Sequence, residues 1–277
     1  MCLVRPYVAF LYTAPLSQRQ IADLARIPAG DFLMGAPDAE EDERPVHRVY
    51  VSEFSIGRFA VTNDDYAQFI RATGYPAPAI RGLPLITHGG RDSLFKEFAA
   101  PYVWENGEPP PGHGAHPVVL VRYDDALAYC EWMSERLGRV VRLPTEAEWE
   151  KAARGGAESL RYPWGNEIDV TRGNYLSDPA TKSQHGTRPA GTYPPNAYGL
   201  YDMSGNVWEW VSDWYHAEYY ALSDPRDPRG PDSGNMRIVR GGSWVNDNVS
   251  MLRCAYRHKV PPDTYAYSMG FRIVCAP

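Results

Sequence analysis

The sequence predicts a loop-rich α+β domain, with a twisted antiparallel sheet packed against two or three helices. Three observations lead there. Three segments carry helix-start signals ahead of apolar residues at helical spacing. Several short stretches alternate apolar and polar residues. Across 277 residues, 24 Gly and 25 Pro are scattered among 8 Trp, 19 Tyr and 8 Phe. A chain so rich in turn residues builds connections more than long elements, and large planar side chains pin those connections.

Residues 1–24 read as a lead-in ahead of a domain spanning 25–277. Their apolar patch, Val8-Ala9-Phe10-Leu11, is too short and too lightly charged for a signal peptide. Ala25 to Gly35 alternates towards a glycine and predicts a strand or hairpin. Residues 46–56 alternate again and predict one half-buried strand. Thr62-Asn63 followed by Asp64-Asp65 predicts a helix start, with a capping side chain and acids in the first turn. Residues 73–117 show little periodicity and read as a long ordered loop anchored by Leu94, Phe95, Phe98, Tyr102 and Trp104. A second helix runs from Tyr123 to near Gly138, a glycine terminator. A third follows Thr145, which with Glu148 forms a capping box, and Gly155-Gly156 closes it. Beyond residue 157 the chain reads as loops and short strands, without internal repeats.

Charge and cysteine usage exclude several function classes. The formal net charge is −6, and no run of Lys or Arg forms a basic stripe, so no nucleic-acid partner is expected. The acidic run Asp38 to Glu43 reads as a solvated loop. No apolar run is long enough to span a bilayer, and a cytoplasmic location is expected. Cys2, Cys130, Cys254 and Cys275 form no C-x-x-C and stand at no zinc spacing, and none of the seven histidines has the spacing of a metal-binding helix.

Five motifs occur in order: Arg142-Leu-Pro-Thr-Glu-Ala-Glu-Trp149-Glu150, Pro194-Pro-Asn-Ala-Tyr-Gly-Leu-Tyr-Asp202, Gly205-Asn-Val-Trp-Glu-Trp210, Arg240-Gly-Gly-Ser-Trp244 and Gly270-Phe-Arg272. Together they resemble the formylglycine-generating enzyme, or sulfatase-modifying factor, family. The resemblance implies a variant of the C-type lectin fold. It also implies that an active oxidase would carry two copper(I)-binding cysteines shortly after the Gly-Gly-Ser-aromatic motif. Here the first position falls on Asn246 and the second near Ser250 or Met251, so copper is not expected. Cys254 resembles a structural cysteine whose partner position is Ala153. Cys130 and Cys275 resemble the other structural pair, which implies a disulfide or, if reduced, close contact. By the same resemblance Gly205, Asn206, Val207 and Glu209 form a calcium site. A second maps onto Asn174 and Tyr175, but its acidic ligand falls near Lys182, where Asp178 could substitute. Ser243 and Trp210 resemble positions lining the oxidases' substrate groove.

The C-terminal segment suggests a binding face. Between the framing residues Arg253, Ala255, Arg257, Pro262 and Gly270-Phe-Arg272 lie Val245, Asn246, Asp247, Asn248, Ser250, Tyr256, His258, Lys259, Thr264, Tyr265, Tyr267 and Ser268. Tyrosines with small polar residues provide contact area and adaptable hydrogen bonds. The pattern looks like that of the variable proteins of diversity-generating retroelements. The function expected is a non-catalytic protein presenting residues 245–268, above Trp210, Ser243 and Trp244, to a protein or peptide ligand. The alternative is an enzyme of the same family, a cysteine oxidase or maturation factor, with an altered site.

Overall fold

The computed structural model describes residues 23–81, 92–175 and 186–276. The lead-in therefore lies almost wholly outside the described residues, as do Asp178 and Lys182.

Among the described residues, three small sheets and five helices make up the α+β fold. Strands β1 (Leu24–Ile27), β4 (Phe54–Gly57), β10 (Val274–Cys275) and β5 (Val141–Arg142) form the first sheet in that order, with the last strand seated between β4 and β5. A hairpin pairs β2 (Gly30–Met34) with β3 (His47–Val51). The third sheet runs β8 (His258–Val260), β7 (Arg237–Arg240), β6 (Trp208–Trp214) and β9 (Met269–Phe271), and its β6–β9 pair is parallel. The one strand expected over 46–56 is thus two strands of different sheets. The chain breaks at Ser52, whose N–H (2.6 Å) and hydroxyl (2.8 Å) both donate to the Asp227 carboxylate, a partner 175 residues away.

Helix α1 (Asn63–Thr73) starts as expected, with a reciprocal Thr62–Asp65 capping box, and ends at Gly74 in the left-handed region. The loop expected over 73–117 contains a helix, α2 (Asp92–Ala99). Phe95, Tyr102 and Trp104 are its buried anchors, whereas Phe98 is exposed. Helix α3 (Tyr123–Leu137) ends at left-handed Gly138, and α5 (Tyr219–Leu222) is a single turn. Among the described residues no helix is long and apolar enough to cross a membrane.

Helix α4 (Glu146–Ala153) organises the interior. All eight of its residues are buried, although four are charged. Buried charge is tolerated only when well hydrogen-bonded, and best when paired; the three glutamates are paired and the lysine is held by carbonyls. Glu146 takes both prongs of Arg257 (2.8 and 3.0 Å). Glu148 takes both prongs of Arg142 (2.6 Å each). Glu150 accepts from Arg154 (2.7 Å), Arg240 (2.6 Å) and the Gly35 N–H (2.8 Å). The Lys151 ammonium donates to the carbonyls of Pro28, Gly30 and Val51. Asp38, Glu40 and Glu41 of the acidic run are exposed as expected, but its end turns inward, where Glu43 is fully buried and pairs with both prongs of Arg253 (2.5 and 2.7 Å).

Asp213 lies beside the first turn of α4, where its Oδ2 accepts the Glu146 N–H (2.9 Å). Burial, followed by the Glu146 carboxylate, lifts its carboxyl from 3.8 to about 7. A raised carboxyl means that the folded state favours the proton. The contribution of Asp213 to stability is therefore full below about 3.8 and is lost as pH rises to about 7. Asp213→Asn keeps the acceptor and removes the titration. In urea unfolding at stepped pH, the stability of the parent relative to this variant should fall between pH 4 and 7 and then level off. A flat difference would refute the assignment.

Candidate functional site

The C-terminal face begins where β7 ends at Arg240. Gly241 and Gly242 both have positive φ (94° and 72°). A Cβ on Gly242 would lie 2.6 Å from Leu252 Cδ2 and 3.0 Å from the Met251 carbonyl, so only glycine lets the two strands of this loop close together. Closure buries Ser243, whose N–H (2.7 Å) and Oγ (3.0 Å) donate to Asn246 Oδ1. The other end of that amide, Asn246 Nδ2, contacts Met251 Sδ at 3.1 Å. Asn246 is therefore a direct neighbour of Met251, which sits within a 3₁₀ turn at Val249–Leu252.

Arg240 sets the path that follows. Fully buried, it donates to three successive carbonyls, those of Cys254 (2.7 Å), Ala255 (2.8 Å) and Tyr256 (2.6 Å), while holding Glu150. Tyr256 and His258 emerge half-buried from this grip and meet the Trp208 ring, with centroids 6.0 and 4.9 Å away. Burial, then the neighbouring Lys259, holds the His258 imidazole down to about 4, so it is neutral near pH 7. Met251 and Tyr256 pack on the same core cluster as Trp208.

The expected binding residues do not form one open surface. Asp247, Asn248 and Lys259 are exposed; Val245, Asn246, Ser250, Tyr256, His258 and Tyr267 are partly so. Trp210, Ser243, Trp244, Thr264, Tyr265 and Ser268 are buried. Trp210 is a core residue, its indole donating to the Val121 carbonyl and its ring edge-on to Tyr123. Trp208, two residues earlier and also buried, backs the face through its contacts with Tyr256 and His258. The alternation of a strand puts residues 208 and 210 on one side, but Trp210 lies deeper and sequence pattern does not reveal depth. A second aromatic group joins Trp244 and Tyr267 to Phe95 and Phe98 of α2, a contribution hidden by the reading of α2 as loop. Lys259 is committed to Asp42 and the Tyr215 hydroxyl, at 3.1 Å each. Asn248 spends its Oδ1 on capping Ser250 (3.0 Å).

The described cysteines are free and buried thiols. Cys130 and Cys275 share one core cluster, but the expected disulfide between them is not formed. Burial pushes the Cys254 thiol up to about 12, and Cys130 likewise, so neither supplies a thiolate near neutral pH.

The sulfatase-modifying factor enzyme 1-like domain model matches residues 12–277. The chain belongs to this family. It is 38% identical to the formylglycine-generating enzyme of Thermomonospora curvata, over 94% of this chain and 96% of that one. It is 37% identical to serine/threonine-protein kinase pkn1 of Chlamydia pneumoniae, over 98% of this chain but only 40% of that protein's length. Among solved structures, Treponema denticola variable protein 1 superposes with a TM-score of 0.72 at 26% identity, covering 92% of this chain and 95% of that one.

The residues expected to hold calcium form a hydrogen-bonded knot. Asn206 N–H donates to the Asn174 carbonyl (2.8 Å), and Asn206 Oδ1 accepts from Asn174 Nδ2 (3.2 Å) and Arg188 N–H (2.9 Å). A Cβ on Gly205 would lie 2.5 Å from the Asn174 carbonyl oxygen, so this glycine is required by close approach. Val207 and Tyr175 are buried beside them. Glu209 fits a cation poorly, because Arg272 takes both its oxygens (2.6 and 2.7 Å) and the Trp149 indole adds a third bond (2.7 Å). Asp202 fits better, and the sequence reading missed it. Its Oδ1 is buried without a hydrogen-bond partner, while Oδ2 accepts the Gly191 N–H (2.9 Å). Burial raises its carboxyl to about 6, with Glu209 also pushing it up. Asp202 lines a cavity of about 10 Å³, room for one water or ion.

Proposed function

We propose that this member of the family is a ligand-binding protein without oxidase chemistry, presenting the half-buried rim around Tyr256, His258 and Tyr267 to a protein or peptide. The observation that carries this reading is the Ser243–Asn246–Met251 chain of contacts. Where the oxidases place two thiols, neutral groups satisfy one another, and the nearby thiol of Cys254 is buried and protonated. The fold shared with a variable protein supports a face whose residues serve recognition. Tyrosine and histidine on a firmly held loop offer contact area at low entropy cost.

Two measurements test this. Offered a cysteine-containing peptide with copper(I) and oxygen, the protein should form no aldehyde; turnover would end the non-catalytic reading. Peptides selected from a displayed library should bind the parent and lose at least about tenfold in affinity on Tyr256→Ala or Tyr267→Ala, as expected of aromatic anchors. Selected binders indifferent to both changes would place recognition elsewhere. The second reading, maturation of another protein by an altered site, draws on the 38% identity to a formylglycine-generating enzyme, and the same turnover assay decides it.

Calcium belongs to the proposal as a stabiliser of the scaffold, held beside Asp202 with backbone oxygens of the Gly205–Val207 turn. At a hundredfold excess over its dissociation constant it should add about 2.7 kcal/mol of stability, raising the unfolding midpoint by roughly 5–10 °C. Asp202→Asn should abolish that rise. Equal responses of parent and variant would remove Asp202 from the site.

A further inference from the structure

The segment Pro109-Pro-Pro-Gly-His113-Gly-Ala-His116-Pro117 belongs to neither the rim nor the calcium knot. It is a turn held from outside by the start of α1. Asn63 Nδ2 donates to the His113 carbonyl (2.8 Å). The Asn63 and Asp64 N–H groups donate to the His116 and Gly114 carbonyls (2.9 Å each), and His116 N–H closes on the His113 carbonyl (2.9 Å). The backbone carrying both histidines is therefore fixed by four hydrogen bonds, three of them from one capped helix terminus.

The two imidazoles lie together, with centroids 4.6 Å apart and planes inclined at 51°. His113 Nδ1 lies 3.2 Å from the Pro111 carbonyl. A carbonyl only accepts, so the proton sits on Nδ1 and the lone pair on Nε2. His116 Nδ1 lies 2.9 Å from Thr187 Oγ1, which a second Nδ1–H satisfies equally. Among the described residues Nε2 of neither ring has a hydrogen-bond partner. Imidazoles that ligate metals use one nitrogen for the ion and fix the other through just such an acceptor.

We propose that His113 and His116 together bind a late first-row divalent cation, such as Ni²⁺, Cu²⁺ or Zn²⁺, through their Nε2 atoms. Two bonds of about 2.0–2.1 Å to one ion require nitrogens about 3–4 Å apart, a span that rings this close can provide. Local charge acts both ways. The Asp64 carboxylate lies against Gly114, where an added Cβ would sit 2.4 Å from Oδ1, whereas Arg188 acts on His116 against a cation. No three His, Cys, Asp or Glu side chains gather as a cage among the described residues. Water completes the coordination sphere, and the site suits an ion that tolerates open positions.

The test uses the full chain and Ni²⁺ alone, titrated calorimetrically into the parent, His113→Gln, His116→Gln and the double variant. Chelation predicts one tight Ni²⁺ per parent chain. Either single change should lower affinity roughly a hundredfold, and the double change should lower it little further, because one ligand is useless without the other. Equal binding by parent and double variant overturns the proposal, as do single losses that simply add. Should a variant fail to fold, electron paramagnetic resonance of the Cu²⁺-loaded parent decides. Superhyperfine structure from two imidazole nitrogens is expected, and a single-nitrogen pattern refutes the pair.

Discussion

Replacing Glu150 by Ala is expected to lower stability by about 3–5 kcal/mol, the usual result of removing one partner from a buried ion pair. Glu150 is fully buried and anchors two guanidinium groups, those of Arg154 and Arg240, which are also buried. Deleting the carboxylate leaves Arg154 without its counter-charge and Arg240 with only Glu146, 3.4 Å away, together with an unsatisfied Gly35 N–H. For a chain of this size the unfolding midpoint should drop by roughly 6–20 °C, measurable by scanning calorimetry. Glu150→Gln restores an acceptor without the charge, so most of the loss should remain. Glu53→Ala removes an exposed ion pair with Arg26 and should leave the midpoint in place. Comparable effects at positions 53 and 150 would show that the buried lattice carries no special share of stability.

The second large effect concerns copper. Asn246 and Met251 touch through Nδ2 and Sδ at 3.1 Å, so cysteines at both positions would bring two thiols together. Thiolates are the soft, anionic ligands that select copper(I), whereas an amide provides none. The parent should release copper(I) completely to a competing chelator. The Asn246→Cys, Met251→Cys double variant should retain one ion per chain, with each single variant far weaker. Retention by the parent would show that a thioether and neutral imidazoles suffice. Failure of the double variant would show that contact between the native side chains does not translate into a usable ligand pair.

Local signals in the sequence were legible wherever they act over a few residues. The N-cap ahead of the first helix, the Thr145–Glu148 box and the Gly138 terminator appear as read, because capping is decided within one turn. The break at Ser52 could not be read, since its cause is Asp227, far along the chain. Glu43 looked solvated because an acidic run usually repels itself, and only the fold brings Arg253 to it. At the site, motif order located Asn246 and its neighbourhood. It could not show that Asn246 reaches Met251, that Trp210 sinks into the core while Trp208 backs the rim, or that Asp202 keeps an unpaired oxygen. Each of these depends on depth or on a contact across the chain, to which periodicity is blind.

The Arg240 guanidinium grips the carbonyls of residues 254–256, and every residue type carries a carbonyl. The hold is therefore indifferent to which side chain occupies position 256. Tyr256 can be exchanged without loosening the backbone that presents it, so the scaffold tolerates sequence drift at this point of its rim.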